Sequence, residues 1–84
     1  MTHFVPDYQR VAEDIRQQIR DGRLAPRDQL PLRRELVAHY TAAWNRRTPV
    51  SGTTIDSAML ILKSEGWVIG HQGRGTFVAD GPPK

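Results

Sequence analysis

The chain has 84 residues, of which 38% are hydrophobic and 25% charged, a composition typical of one small folded domain. It contains no cysteine, which excludes disulfides and thiolate metal sites, so apolar packing has to hold the fold. No segment approaches the roughly 20 apolar residues of a membrane span, and the first residues lack the layout of a secretion signal. We therefore expect a cytoplasmic protein.

The basic residues bear on whether the protein binds nucleic acid. The formal net charge is +3, and ten of the twelve basic residues are arginine. The planar guanidinium group suits phosphate and base edges better than the point charge of lysine does. Charge alone leaves a solvated surface and nucleic-acid binding equally open.

A first helix is predicted over residues 8–21. Its apolar positions recur at steps of three and four residues, as one buried helical stripe requires. They are Tyr8, Val11, Ile15 and Ile19. Gly22 follows the last of them, where a left-handed residue commonly ends a helix. The next stretch, RLAPRDQLP, carries two prolines, which favours an extended connector with room for one short strand.

Two further helices are predicted. The second covers residues 32–40, with an extension to 44, and its inward positions are Leu36, Val37 and Tyr40. Leu32 supplies no oxygen to cap this helix, so we expect its first turn to fray. The third covers residues 51–65, with Ser51 as N-cap. Its inward positions are Ile55, Ala58, Met59 and Leu62, and its opposite face starts with Thr53, Thr54 and Asp56.

The chain then predicts a hairpin, because the apolar runs at 67–69 and 76–78 flank the turn sequence HQGRG. Three helices followed by a hairpin is the order of a winged helix-turn-helix, a mainly α fold with a two- or three-stranded antiparallel wing. In that fold the third helix can enter the major groove of DNA. We place this domain at residues 1–80 and treat 81–84 as a tail or linker.

Four segments in order resemble the N-terminal DNA-binding domain of the GntR family of bacterial transcription regulators. They are YQRVAEDIRQQIRDGRLAP, LPLRREL, VSGTTI and SEGWVIGHQGRGTFV, and together they span residues 8–78. The resemblance implies sequence-specific binding to duplex DNA, with the recognition helix at about 51–65 in the major groove and the wing at 70–76 in the minor groove. It further implies a homodimer on a palindromic operator, most often acting as a repressor.

The resemblance also implies roles for individual residues. Arg34 matches an arginine at the start of helix two that contacts the DNA. The role of its neighbour Arg33 is left open: it either contacts DNA or belongs to an exposed helical face. The phosphate contacts implied at the third helix are Ser51, Thr53 and Thr54. The minor-groove contacts implied at the wing tip are Gln72, Gly73 and Arg74.

Two positions depart from the family pattern. The family usually has arginine where this chain has Gly52, and a basic or polar residue where it has Asp56. A bidentate arginine on guanine provides about 1–3 kcal/mol of base discrimination, which Gly52 cannot supply. Asp56 would repel phosphate, although a carboxylate accepts from cytosine N4. We therefore expect altered base readout.

A third departure is the length of the segment 41–49 between helices two and three. Our hypothesis is that Arg46 and Arg47, both in this segment, replace the lost positive charge at the phosphates. Trp44 also lies here, and the sequence leaves open whether it packs on the core or is exposed for a partner.

Other functions find less support. His3, His39 and His71 lack the spacing of metal ligands, no catalytic arrangement can be placed, and we expect no cofactor or enzyme activity. The alternative function is a winged-helix module that binds another protein. The family's C-terminal effector and dimerisation domain has no counterpart in these residues, so no effector site is expected on them. They are either part of a longer regulator or a short regulator that pairs by other means.

Overall fold

The computed structural model describes residues 5–83. Three helices, α1 (Asp7–Arg20), α2 (Arg33–Ala43) and α3 (Gly52–Ser64), precede two strands, β1 (Val68–His71) and β2 (Gly75–Val78). The strands pair antiparallel. The predicted order of three helices and a wing is confirmed, and the helix boundaries move by one turn or less.

The core lies where α1 crosses α3. The predicted inward stripes of both helices are buried except for Tyr8 and Met59, which are partly buried. Ala12 joins the stripe of α1 because it lies one turn before Ile15 on the same helical face. The buried residues of these two helices are Val11, Ala12, Ile15, Ile19, Ile55, Ala58 and Leu62. Gly22 has a φ of 82°, the left-handed conformation expected at the end of α1.

Helix α2 packs through Leu36 and Tyr40, which are both buried. The Tyr40 hydroxyl donates a hydrogen bond to Asp14 of α1 at 2.7 Å. Burial, and then the Asp14 carboxylate, raise the pKa of Tyr40 well above its ordinary value of 10.0. At the start of α2, the Glu35 carboxylate accepts from the Leu32 backbone N–H at 2.8 Å. This reach-back compensates in part for the missing cap that led us to expect fraying.

Helix α2 continues through Thr41 to Ala43, within the predicted extension to 44, so the turn before α3 is shorter than the segment 41–49. The Thr41 hydroxyl donates to Val37 O at 2.7 Å and accepts from Val50 N–H at 2.8 Å, which ties both ends of the turn together. Trp44 is half-buried, with its ring centroid 5.2 Å from that of Tyr40. The Arg10 guanidinium covers it at 4.0 Å. Trp44 therefore packs on the core.

The wing joins the core through the buried pair Val68 and Val78, which face each other across the two strands. Trp67, just before β1, is only 4% exposed and belongs to the core as expected. The connector after α1 adds an isolated antiparallel bridge between Gln29 and Phe77, in the place where one short strand was expected. Within residues 5–83, no helix is long and apolar enough to span a membrane.

Candidate nucleic-acid interface

Helix α3 begins with a well-formed cap. The Ser51 hydroxyl oxygen accepts from the Thr53 backbone N–H at 3.0 Å. Thr53 is exposed and Thr54 half-buried. The helical period places the inward stripe against the core and leaves an exposed stripe along the opposite side of the helix. That stripe starts at the half-buried Gly52 and continues through the exposed residues Asp56, Leu60 and Lys63.

An ion pair links α2 to this stripe. Arg33 of α2 donates from Nε to Asp56 Oδ1 at 2.8 Å and from Nη2 to Asp56 Oδ2 at 3.0 Å. Hydrogen bonding and the charge of Asp56 raise the pKa of Arg33, which stays protonated. The guanidinium group lies directly over Gly52, since a Cβ there would stand 2.6 Å from Arg33 Cζ. Both departures from the family pattern in α3 thus contact the same arginine.

Lys63 connects α3 with the wing. Its ammonium nitrogen lies 3.2 Å from the position that a Cβ on Gly70 of β1 would take. A groove between α3 and the wing is lined by Arg33, Asp56, Leu60, Lys63 and Thr76, among others. Sequence reasoning missed Lys63, although its spacing from Gly52 and Asp56 places it on the same helical stripe.

Gln72, Gly73 and Arg74 form the exposed tip of the wing. Gly73 has a φ of 79°, and the Arg74 N–H donates to His71 O at 2.9 Å, which closes the turn. Gln29, which the sequence did not single out, braces this tip by donating from Nε2 to Arg74 O at 2.9 Å.

Gly75 allows the brace to approach. Its φ is 115°, and a Cβ on it would lie 2.7 Å from Gln29 Nε2. A larger residue would therefore be strained in its backbone and crowded by Gln29. The second glycine of the GRG sequence is therefore required by the hairpin.

The two arginines of the α2–α3 turn differ in their surroundings. Arg46 lines a shallow depression together with Arg34 and Pro49. Its Nη2 also lies 2.6 Å from Asp7 Oδ1, so its charge is shared with a carboxylate. Arg47 is exposed, and no carboxylate of residues 5–83 lies within 4.0 Å of it. Of the two, only Arg47 therefore has an uncompensated charge.

The remaining basic groups differ in their partners according to the element that carries them. The arginines on α1 and in the connector after it all have carboxylate partners: Arg10, Arg16, Arg20, Arg23 and Arg27. Among residues 5–83, no carboxylate lies within 4.0 Å of Arg34, Arg47, Lys63 or Arg74. Uncompensated positive charge therefore concentrates on α2, the turn, α3 and the wing.

The histidines stand apart from one another. His39 is edge-on to Tyr40 and His71 is edge-on to Phe77, while His3 lies outside the described residues. Within the described part of the chain, no three His, Asp or Glu side chains are grouped as metal ligands.

Three helices and a braced wing, with uncompensated basic groups on α2, the turn, α3 and the wing, define a winged helix-turn-helix protein. The chain belongs to the GntR family, since the model for "Bacterial regulatory proteins, gntR family" matches residues 7–78. The resemblance seen in the sequence is thereby confirmed.

Individual relatives agree with this family. The chain is 37% identical to the HTH-type transcriptional regulator Rv0792c of Mycobacterium tuberculosis, over 90% of this chain and 25% of that protein. It is 36% identical to the histidine utilization repressor of Klebsiella aerogenes, over 89% of this chain and 28% of that protein. The chain therefore spans about a quarter of the length of these curated relatives, which are named as regulators of transcription rather than enzymes.

A solved structure supports the fold. The structure of AraR(DBD) in complex with operator ORR3 matches with a TM-score of 0.81 at 33% identity, covering 94% of this chain and 86% of that chain.

Proposed function

We propose that this chain binds duplex DNA sequence-specifically and regulates transcription, as a repressor acting from a palindromic operator as a homodimer in the bacterial cytoplasm. The observation that carries this function is the separation of charge, because uncompensated basic groups lie on α2, the turn, α3 and the wing. Such a face attracts the phosphate backbone, which dominates the affinity of proteins for DNA. The AraR domain of the same fold was solved with its operator.

The geometry supports a division of roles. The major groove admits an α-helix, so residues 51–65 would lie there with the capped start of α3 at the backbone. Ser51, Thr53 and Thr54 then offer hydroxyl groups to phosphates, together with the guanidinium of Arg34. The wing, residues 70–76, would follow the minor groove with its tip formed by Gln72, Gly73 and Arg74. We assign residues 1–80 to this DNA-binding domain, with 81–84 as a tail.

The turn contributes phosphate contacts in this assignment. Arg47 brings an uncompensated charge, whereas Arg46 has to exchange the Asp7 carboxylate for a phosphate and gains less. We therefore assign the larger share of the turn's contribution to Arg47.

A protein-binding module is not favoured. That alternative needs an exposed apolar surface around Trp44, but this ring packs against Tyr40 and lies under Arg10. No catalytic role is assigned to any residue.

The test is fluorescence anisotropy of the chain with random-sequence duplex DNA at several salt concentrations. The slope of log affinity against log salt is about −0.9 for each phosphate neutralised. Replacing Arg34, Arg47 and Arg74 with alanine should make the slope shallower by up to about 2.7. The control replaces Arg10, Arg20 and Arg23 with alanine, which removes the same charge from another face.

The two triple variants separate a local interface from general charge. Equal effects of both would contradict the proposed face, because net charge alone would then account for binding. No binding of the unmodified chain even near 20 mM salt, about a 20 Å Debye length, would favour the protein-binding alternative.

A further inference from the structure

We infer that Arg33 reads a guanine base in the major groove, with its guanidinium carried across Gly52 from α2 and oriented by Asp56 of α3. This role rests on the DNA binding proposed above and adds a specificity residue to it. The three residues belong together because Arg33 contacts both of the others.

The first step is the space above Gly52. The first residue of α3 has no side chain, and the Arg33 guanidinium fills the volume that a side chain would take, with Cζ 2.6 Å and Nη1 3.0 Å from the Cβ position. An arginine or any other side chain at this position is incompatible with the observed placement of Arg33. The missing side chain of the recognition helix is thus replaced by one from the preceding helix.

The second step concerns the hydrogen-bond donors. Asp56 occupies the Nε and Nη2 edge of the guanidinium in a bidentate pair. The end of the group, Nη1 and the outer N–H of Nη2, has no acceptor recorded among residues 5–83. Two adjacent N–H donors match the O6 and N7 acceptors of guanine in the major groove. The side chains of Arg33 and Asp56 are 60% and 57% exposed, so a base edge can reach this end.

The third step is orientation. A free arginine loses side-chain freedom when it binds, and a group already held in place loses less. Two hydrogen bonds to Asp56 restrict the direction of the guanidinium before DNA arrives. Asp56, which by itself would repel the backbone, acts here as a positioning residue for Arg33.

The charge of the pair leads to a distinctive expectation. Arg33 and Asp56 carry opposite charges, so together they add no net charge to the attraction of phosphates. Their loss should therefore change which sequences are preferred while leaving the salt dependence almost unchanged. A phosphate-contacting arginine behaves in the opposite way, weakening all sequences alike and reducing the slope.

The experiment selects preferred sites for the unmodified chain from a randomised duplex pool. Anisotropy then compares that site with versions in which each G·C base pair is replaced in turn. One replacement should weaken binding by about 5- to 150-fold, the range for one bidentate base contact. The first variant combines Arg33→Gln with Asp56→Asn, which keeps the net charge, and its control combines Arg23→Gln with Asp21→Asn in another exposed ion pair.

The second variant, Gly52→Ala, tests the same role without touching either charge. The added methyl group meets only the end of a flexible side chain, so the fold should persist, checked by circular dichroism and the melting temperature. The displaced guanidinium should lose its discrimination at the same base pair. On the duplex in which this G·C base pair is replaced, both variants should bind with the affinity of the unmodified chain. Their salt slopes should also match its slope.

Three results would overturn this role. Unchanged base preference in both variants would remove Arg33 from base reading while leaving DNA binding intact. Uniform weakening of all sites with a slope shallower by about 0.9 would make Arg33 a phosphate contact instead. Absence of salt-dependent binding by the unmodified chain would remove the underlying DNA function itself.

Discussion

Replacing Tyr40 with phenylalanine isolates the hydrogen bond that fixes α2 against α1. Tyr40 is 2% exposed, so its ring should stay in place in the variant, while the 2.7 Å bond to Asp14 is lost. Hydrogen bonds to charged acceptors contribute about 1.5–3 kcal/mol. We expect the lower end, about 1.5 kcal/mol, because Asp14 keeps a second bond from Gln18 at 2.9 Å. In a domain of this size, that lowers the melting temperature by about 6–12 °C.

The assay is urea denaturation followed by circular dichroism, with Tyr8→Phe as the control. The hydrogen bond that the Tyr8 hydroxyl accepts from the exposed Gln9 amide is long, at 3.4 Å, so its removal should leave stability unchanged. A difference between the two variants below about 0.5 kcal/mol would refute the importance of the Asp14 bond. The pH dependence gives a second check, since the folded pKa of Tyr40 lies above its ordinary value. Its stabilising contribution is complete below pH 10.0 and is lost as pH rises further, a loss that Tyr40→Phe should abolish.

Further predictions concern the turn, acid stability and the wing. Arg47→Ala should make the salt slope of DNA binding shallower by about 0.9, and Arg46→Ala by less; an unchanged slope in the double variant would exclude both as phosphate contacts. Arg16 lowers the pKa of Glu65 below its ordinary value of 4.5, so the stability this pair provides is lost as pH falls below 4.5. As the pH is lowered through 4.5, the urea midpoint of Glu65→Gln should accordingly fall less than that of the unmodified chain, and an equal fall would argue against the ion pair. Gly75→Ala should destabilise the domain by about 1–3 kcal/mol in thermal unfolding, with Gly81→Ala, whose surroundings are open, as the unaffected control.

The fold could be predicted because its signals are local. The stripe in α1, the Ser51 cap and the turn glycines each depend on residues a few positions apart. Local patterns also predicted the buried positions of α3, although Met59 is only partly buried. The end of α2 was less predictable, since Thr41 is a poor helix former that owes its place to hydrogen bonds with Val37 and Val50.

The site could be predicted only in part, because its contacts join distant segments. Arg33 and Asp56 are 23 positions apart, and Gln29 and Arg74 are 45 apart. A pattern of spacing within one helix cannot reveal such pairs. The family resemblance identified Gly52 and Asp56 as departures, but not the arginine that contacts both. Only the packing of α2 across the start of α3 connects the three.

The charge balance bears on the choice between a DNA reader and a protein-binding module. A net charge of +3 is small for a DNA-binding surface, yet this sum includes arginines on α1 that are compensated locally, such as Arg16 and Arg20. Potential at a surface depends on where charges lie within about 8–10 Å, the screening length at physiological salt. Gly52 and Asp56, the two departures from the family pattern in α3, both contact Arg33. With those features accounted for, a basic face beside a capped helix is better suited to the backbone and grooves of DNA than to another protein.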